Sequence, residues 1–91
     1  TRYGFEAKVE NSFIADGCEI EGTVINSVLF RGVKVGKGTV VKNSILMQDT
    51  ITGTNVSLNY VVTDKNVTIR DRNVLSGCEK IPYYLGKNTM V

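Results

Sequence analysis

Histidine is absent from all 91 residues, so nothing in the chain supplies an imidazole as a general base or a metal ligand. Cysteine occurs twice, at Cys18 and Cys78, and two distant thiols without histidine do not make an ordinary zinc site. Proline occurs once. No stretch sustains apolar residues at the i, i+3, i+4, i+7 spacing, which excludes helical repeats. No apolar run approaches the roughly 20 residues a membrane-spanning helix needs. Eleven Lys and Arg against nine Asp and Glu leave a net charge of +2. The two signs are interspersed, so there is no basic block for nucleic acid. A chain of this size holds one small domain, not two. It opens on Thr1 with no secretory signal pattern, and it is expected to be a piece of a longer protein.

What the chain does have is an internal repeat. Residues 26–42, 43–59 and 60–76 align without gaps. Asn26-Ser27-Val28-Leu29 falls over Asn43-Ser44-Ile45-Leu46, and Val28, Ile45 and Val62 share a column. Val33 aligns with Val67, Val35 with Ile69, and Val41 with Leu58 and Leu75. Residues 11–25 join with a two-residue deletion, Asn11-Ser12-Phe13-Ile14 opening the unit and Thr23-Val24-Ile25 lying over Thr39-Val40-Val41. The tail Leu85-Gly86-Lys87-Asn88-Thr89-Met90-Val91 reads as a copy of Val35-Gly36-Lys37-Gly38-Thr39-Val40-Val41. A fixed period of this length signals a solenoid.

Inside each repeat an apolar residue followed by Gly recurs at about six residues, enough for one short strand and one tight corner. Three such units per coil give a triangular prism with strands parallel from coil to coil. The expected fold is therefore all-β: a single-stranded parallel β-helix of the hexapeptide type, about four to five coils long. The left hand of that helix is what hexapeptide families imply; the general rule for parallel crossovers would favour the right. Residues 1–10 are expected as a lead-in and N-terminal coil edge, and residues 11–91 as the β-helix proper.

The columns carry further expectations. Asn11, Asn26 and Asn43 stack at one corner, where Asn tolerates a left-handed backbone and where amides can bond from coil to coil. Cys18 shares the inward column of Val33 and Val67, and both cysteines are expected as buried free thiols, which suits a reducing cytoplasm. Glu19, Lys34, Ile51 and Thr68 form an outward column by alternation. Ile51 is then an apolar side chain facing solvent between inward Thr50 and Thr52. A one-residue slip of that strand would exchange the two faces.

Chemistry-bearing clusters are sparse. Gly36-Lys37-Gly38 lacks both the spacing and the following helix of a phosphate loop. It recurs as Gly86-Lys87-Asn88 and reads as corner chemistry. The carboxylates are scattered. The remaining candidates are cations: Arg31 and Lys65 occupy one column two coils apart, with Lys34, Lys37 and Lys42 near the first and Arg70 and Arg72 near the second. Such a group suits a phosphorylated metabolite, although Asp64 and Asp71 partly neutralise it, and a mixed solvated face is the alternative.

The run Asn11–Gly22, the run Asn26–Gly36 and the segment Val40–Asp49 resemble the C-terminal β-helix of bacterial glucose-1-phosphate adenylyltransferases (ADP-glucose pyrophosphorylases). Met47-Gln48-Asp49-Thr50 and Ile81-Pro82-Tyr83-Tyr84-Leu85-Gly86-Lys87 are most similar to the GlgD-type glycogen biosynthesis subunits of that family. Thr52 departs from it, standing where Ile or Val is usual. The resemblance implies a parent whose nucleotidyltransferase domain makes ADP-glucose from ATP and glucose 1-phosphate with magnesium. No cofactor is implied for this portion. It implies a β-helix that assembles subunits and helps carry control by phosphorylated metabolites. The expected partners are further copies of the chain and a catalytic adenylyltransferase paralogue, with neither nucleic acid nor membrane. Ile51, Tyr83 and Tyr84 are the candidate interface residues. The competing reading is a hexapeptide-repeat acyltransferase-like domain acting at a subunit interface, which the missing histidine disfavours.

Overall fold

A computed structural model describes residues 2–91. Fifteen strands of two or three residues make up the regular structure, and no helix occurs among the described residues. The first sheet contains β1 (Arg2–Tyr3), β4 (Glu19–Ile20), β7 (Lys34–Val35), β10 (Ile51–Thr52) and β13 (Thr68–Ile69) in that spatial order. A second sheet holds β2 (Lys8–Glu10), β5 (Thr23–Ile25), β8 (Val40–Lys42), β11 (Ser57–Asn59) and β14 (Val74–Ser76). The third is built from β3 (Phe13–Ile14), β6 (Val28–Leu29), β9 (Ile45–Leu46), β12 (Val61–Thr63) and β15 (Tyr83–Leu85). Every pairing is parallel, and each strand bonds to its equivalents in the neighbouring coils. Three sheets of five strands make a solenoid of the kind expected, a parallel β-helix consistent with the left-handed hexapeptide type. Residues 2–10 supply β1 and β2 of its first coil.

Short strands need sharp corners, and the backbone makes them with left-handed residues. All twelve positive-φ residues among those described lie at corners. Between the second and third sheets these are Asn11, Asn26, Asn43 and Tyr60, with φ of 48° to 55°. Between the third and first they are Gly17, Gly32, Asp49, Asn66 and Asn88. Gly38, Asn55 and Arg72 turn the last corner. Asn and Gly are the residues that visit this region at least cost. The expected amide stacking is present between the first two, where Asn11 Nδ2 donates to Asn26 Oδ1, while Asn43 Nδ2 donates at 3.2 Å to Asn59 Oδ1, which lies outside that column.

Alternation within each strand fills the prism. Val33, Val35, Val41, Leu58 and Ile69 are buried as expected from the columns, and Ile20, Val24, Leu29 and Leu46 are buried with them, while Leu75 is partly buried against them. Ile51 pairs with Lys34 and Thr68 and is 40% exposed, whereas Thr50 and Thr52 are buried. No slip has occurred. The buried threonines are satisfied: Thr50 Oγ1 and Thr63 Oγ1 lie 2.8 Å apart, and Thr52 Oγ1 accepts from Gly36 N at 3.1 Å. A hydroxyl inside an apolar prism is tolerable only when bonded in this way.

Three expectations need correction. Thr23 pairs with Val40, not Thr39. Paired residues are 15 apart at Ile20 and Val35 but 17 apart at Thr23 and Val40, so the two-residue deletion falls between Ile20 and Thr23. It shortens the corner at Glu21-Gly22. Gly22 is required there, because a Cβ would strike the Thr39 carbonyl. The tail is also displaced by one side of the prism: Leu85 pairs with Thr63, and Met90 bridges Thr68. Leu85-Gly86-Lys87-Asn88-Thr89 therefore repeats Leu46-Met47-Gln48-Asp49-Thr50, not Val35–Thr39. The similarity that misled is local, since both corners favour small and left-handed residues.

Finally, Cys18 is buried but Cys78 is exposed. Paired residues are 17 apart at Asn59 and Ser76 and 22 apart at Val61 and Tyr83. Five residues are thus inserted, Cys78 to Pro82, and the insertion closes on itself through reciprocal Cys78–Ile81 backbone bonds of 2.9 and 3.1 Å. Cys78 lies on this outlying loop, and so no core column receives it. Burial pushes the Cys18 thiol above its ordinary pKa, and its Sγ donates to the Phe30 carbonyl at 3.1 Å. It is an unreactive packing residue.

Candidate functional site

The seven candidate cations are spread over the prism. Arg31 and Lys65 do stand at one corner, between the third and first sheets, with Gln48 in the intervening coil. The backbone bonds Asp49 N to Arg31 O and Asn66 N to Gln48 O, each 3.0 Å, define that column. The same ladder extends it to Asp16 at one end, through Gly32 N, and to Lys87 at the other, through Asn88 N to Lys65 O. Lys34 is on the outer face of the first sheet and lies 3.7 Å from Glu19, which is also 3.8 Å from Arg2. Both ion pairs are exposed and contribute little to stability. Lys37 and Arg72 occupy the corner between the first and second sheets, and Arg70 donates from Nε to the Val91 carbonyl at 3.2 Å. Lys42 is on the second sheet. Of the seven, only Arg31 and Lys65 share a column, two coils apart with Gln48 between them.

The acidic residues among them are engaged in turns. Asp71 Oδ1 accepts from Thr54 N at 2.8 Å. Asp64 accepts from its neighbour Lys65 N at 2.7 Å and from the Tyr84 hydroxyl at 3.0 Å. Those two bonds, the backbone one foremost, hold its carboxyl below the ordinary pKa, and the same contact raises that of Tyr84. Among the described residues no three His, Cys, Asp or Glu gather as metal ligands.

The interface candidates separate as well. Ile51 is on the first sheet, whereas Tyr83 and Tyr84 belong to β15 of the third. Tyr84 nevertheless belongs to a feature that the residue pattern left unread. Phe13 pairs with Val28, Val28 with Ile45, Ile45 with Val62, and Val62 with Tyr84. Their neighbours Leu29, Leu46 and Thr63 are buried, so this whole column points outward. Phe13, Ile45 and Tyr84 are 65%, 41% and 60% exposed. The signal was in the sequence: Val28-Leu29 and Ile45-Leu46 are consecutive apolar pairs, and in a strand only one member of such a pair can face the core.

Residues 2–79 match the family described as GlmU-like, C-terminal hexapeptide. The chain belongs to that family. Its relatives narrow the branch. It is 45% identical over 87 residues to the glycogen biosynthesis protein GlgD of Bacillus subtilis (strain 168), covering 96% of this chain and 25% of the relative. It is 68% identical over 41 residues to GlgD of Geobacillus stearothermophilus, covering 45% of the chain and 12% of the relative. A glucose-1-phosphate adenylyltransferase of Clostridium botulinum (strain Eklund 17B / Type B) is 60% identical over 42 residues, 46% of this chain and 11% of its own length. The hexapeptide chain thus spans a quarter or less of these curated relatives. The resemblance seen in Asn11–Gly22 and Asn26–Gly36 is to these proteins.

Proposed function

We propose that this hexapeptide domain is a non-catalytic assembly and regulatory module of a glucose-1-phosphate adenylyltransferase-type protein in glycogen biosynthesis. The observation that carries this is the near end-to-end similarity to the Bacillus subtilis GlgD. Adenylyl transfer from ATP to glucose 1-phosphate, with its magnesium, belongs on this reading to chain outside these residues, and the domain itself needs no cofactor. Its partners are further copies of itself and a catalytic adenylyltransferase paralogue. The Arg31–Lys65 corner is the place on it best suited to a phosphorylated effector, since two cations flank an uncharged Gln48. Free thiols and the names of the relatives support a cytoplasmic setting, and no described helix is long and apolar enough to cross a membrane.

The test is direct. The purified chain, given ATP, glucose 1-phosphate and magnesium, is expected to make no ADP-glucose; measurable synthesis overturns the non-catalytic reading. Mixed with a catalytic adenylyltransferase, it is expected to co-elute and to alter that enzyme's response to a phosphorylated sugar. Two independent elution peaks with an unchanged response would contradict the assembly role.

A further inference from the structure

We infer that the corner between the first and second sheets carries a peptide-binding notch, in which one backbone amide of a partner segment takes the place of a rung that this chain lacks. The inference does not depend on the assembly role proposed above. In four of the five coils this corner has four residues, 4–7, 36–39, 53–56 and 70–73, whereas in the second coil only Glu21 and Gly22 link β4 to β5. The backbone bonds show which two positions are missing. Glu21 N donates to the Val35 carbonyl as Gly4 N does to that of Ile20, so Glu21 holds the first position. Gly22 accepts from Lys8 N as Val56 accepts from Val40 N, so Gly22 holds the fourth. The second and third are absent.

Those are the positions that bond from coil to coil at a corner. Asn55 N donates to the Lys37 carbonyl and Arg72 N to that of Thr54, each at 3.0 Å. The other two corners each have four such rungs, and this one has only these two among the described residues. The Gly38 N–H and the Phe5 carbonyl, which would have met the absent residues, therefore have no hydrogen-bond partner among the described residues. One group satisfies both. The carbonyl of the second position and the N–H of the third belong to a single peptide unit, and in a trans peptide they point in opposite directions, here toward Gly38 and toward Phe5. Main-chain donors and acceptors are strong enough to make such an insertion favourable.

The surroundings narrow the occupant further. The notch is a cleft of about 240 Å³ lined by Gly4, Phe5, Glu6, Glu21 and Lys37, smaller than an ordinary ligand pocket and suited to a residue or two of chain. It continues past Lys37 and Gly38 toward Asn55, and past Glu21 toward Ile51, so an extended segment can enter on one side and leave on the other. Phe5 is fully exposed at its lip. Neither Glu6 nor Glu21 forms an ion pair among the described residues, whereas Glu19 on the adjoining face is held by Arg2 and Lys34. Two uncompensated carboxylates beside an aromatic ring select a guanidinium, which stacks on the ring and bonds to the carboxylates. The occupant is an extended peptide with Arg beside the inserted amide.

NMR titration of the isotope-labelled chain with the blocked peptide acetyl-Gly-Arg-Gly-amide tests this. In the free chain the Gly38 amide is expected to exchange with solvent faster than those of Asn55 and Arg72. The peptide should move the Gly38 amide resonance to lower field, saturably. Acetyl-Gly-Glu-Gly-amide should bind at least about tenfold more weakly, and the double variant Glu6→Gln, Glu21→Gln should weaken the Arg peptide by about tenfold. Inserting Thr-Asn between Glu21 and Gly22, a copy of Thr54-Asn55, restores the rung; it should protect the Gly38 amide and abolish binding while leaving the circular dichroism unchanged. A Gly38 amide that the Arg peptide does not move overturns the proposal, as does one protected like Asn55 in the free chain. Binding undiminished in both the insertion and the double variant overturns it too. Free argininamide binding as tightly as the peptide would overturn the backbone rung, since the carboxylates alone would then account for recognition.

Discussion

The first and third sheets have nearly the same inside and opposite outsides. Within the prism, Ile20, Val35, Thr52 and Ile69 on one match Leu29, Leu46, Thr63 and Leu85 on the other, all buried, and each column includes one bonded threonine. Outside, the first sheet alternates charge, with Glu19 bracketed by Arg2 and Lys34, while the third presents an unbroken apolar column. Packing alone cannot cause the difference, because the inward residues already close the core. Exposed apolar side chains occur singly on any protein, as Ile51 does, but the third sheet carries an outward column of five. The repeat thus specifies the fold from within and leaves each outer face free to carry its own function.

The sharpest way to break this comparison is to change adjacent residues of β9. Leu46→Ala, inward and fully buried, is expected to cost about 2–5 kcal/mol through lost burial and a cavity. Ile45→Ser, beside it but outward, should change the unfolding free energy of the monomer by only about 0.5 kcal/mol. Denaturant melts at low protein concentration give both numbers. Equal losses would mean that the third sheet is buried on both faces within one chain.

At the end of the first sheet, Gly36→Ala is the next largest effect. A Cβ there would meet the Gly53 carbonyl of the next coil, and the coil spacing has no slack. A loss of about 1–3 kcal/mol is expected, whereas Gly86→Ala, whose Cβ would meet only Thr89 Oγ1 at 3.8 Å, should be nearly silent. Tyr60 opens the third sheet at a corner where the earlier coils have Asn, and its φ is 55°. Tyr60→Asn should raise stability by about 1 kcal/mol, the cost of a left-handed bulky residue, read as a higher melting temperature.

The smallest effect concerns Asp64 and Tyr84. A carboxyl whose folded pKa is depressed adds stability above its unfolded pKa and loses it as pH falls through the folded value. Tyr84→Phe removes one of the two donors, so Asp64 should titrate at higher pH in an NMR titration, closer to the ordinary carboxylate range. The backbone bond from Lys65 should keep the shift partial. An unmoved titration would show that Tyr84 faces elsewhere in solution.

Much of the prism was legible in the residues because burial repeats with the coil. Val33 with Val67 and Val35 with Ile69 announce inward columns, and Asn11, Asn26 and Asn43 announce a corner. What was misread lies where the period breaks. The shortened corner at Glu21-Gly22 moved Thr23 by one place, and the inserted loop from Cys78 to Pro82 moved both the tail and the thiol. A gapless alignment cannot place a deletion or an insertion that falls at a corner, outside the inward columns. The candidate cations were harder still, since charges on two corners and two sheets are near neighbours in sequence but face different directions. Only Arg31 and Lys65 share a column, and Gln48 stands between them.

Cross-linking through a single thiol tests the difference between the two outer faces most directly. In a Cys78→Ser background, Ile45→Cys puts a thiol in the exposed apolar column of the third sheet, and mild oxidation is expected to give a covalent dimer in high yield even at low protein concentration. Ile51→Cys in the same background, on the first sheet, should remain monomeric on a non-reducing gel. Efficient cross-linking of Ile51→Cys with none through Ile45→Cys would contradict the reading of the third sheet as the contact face.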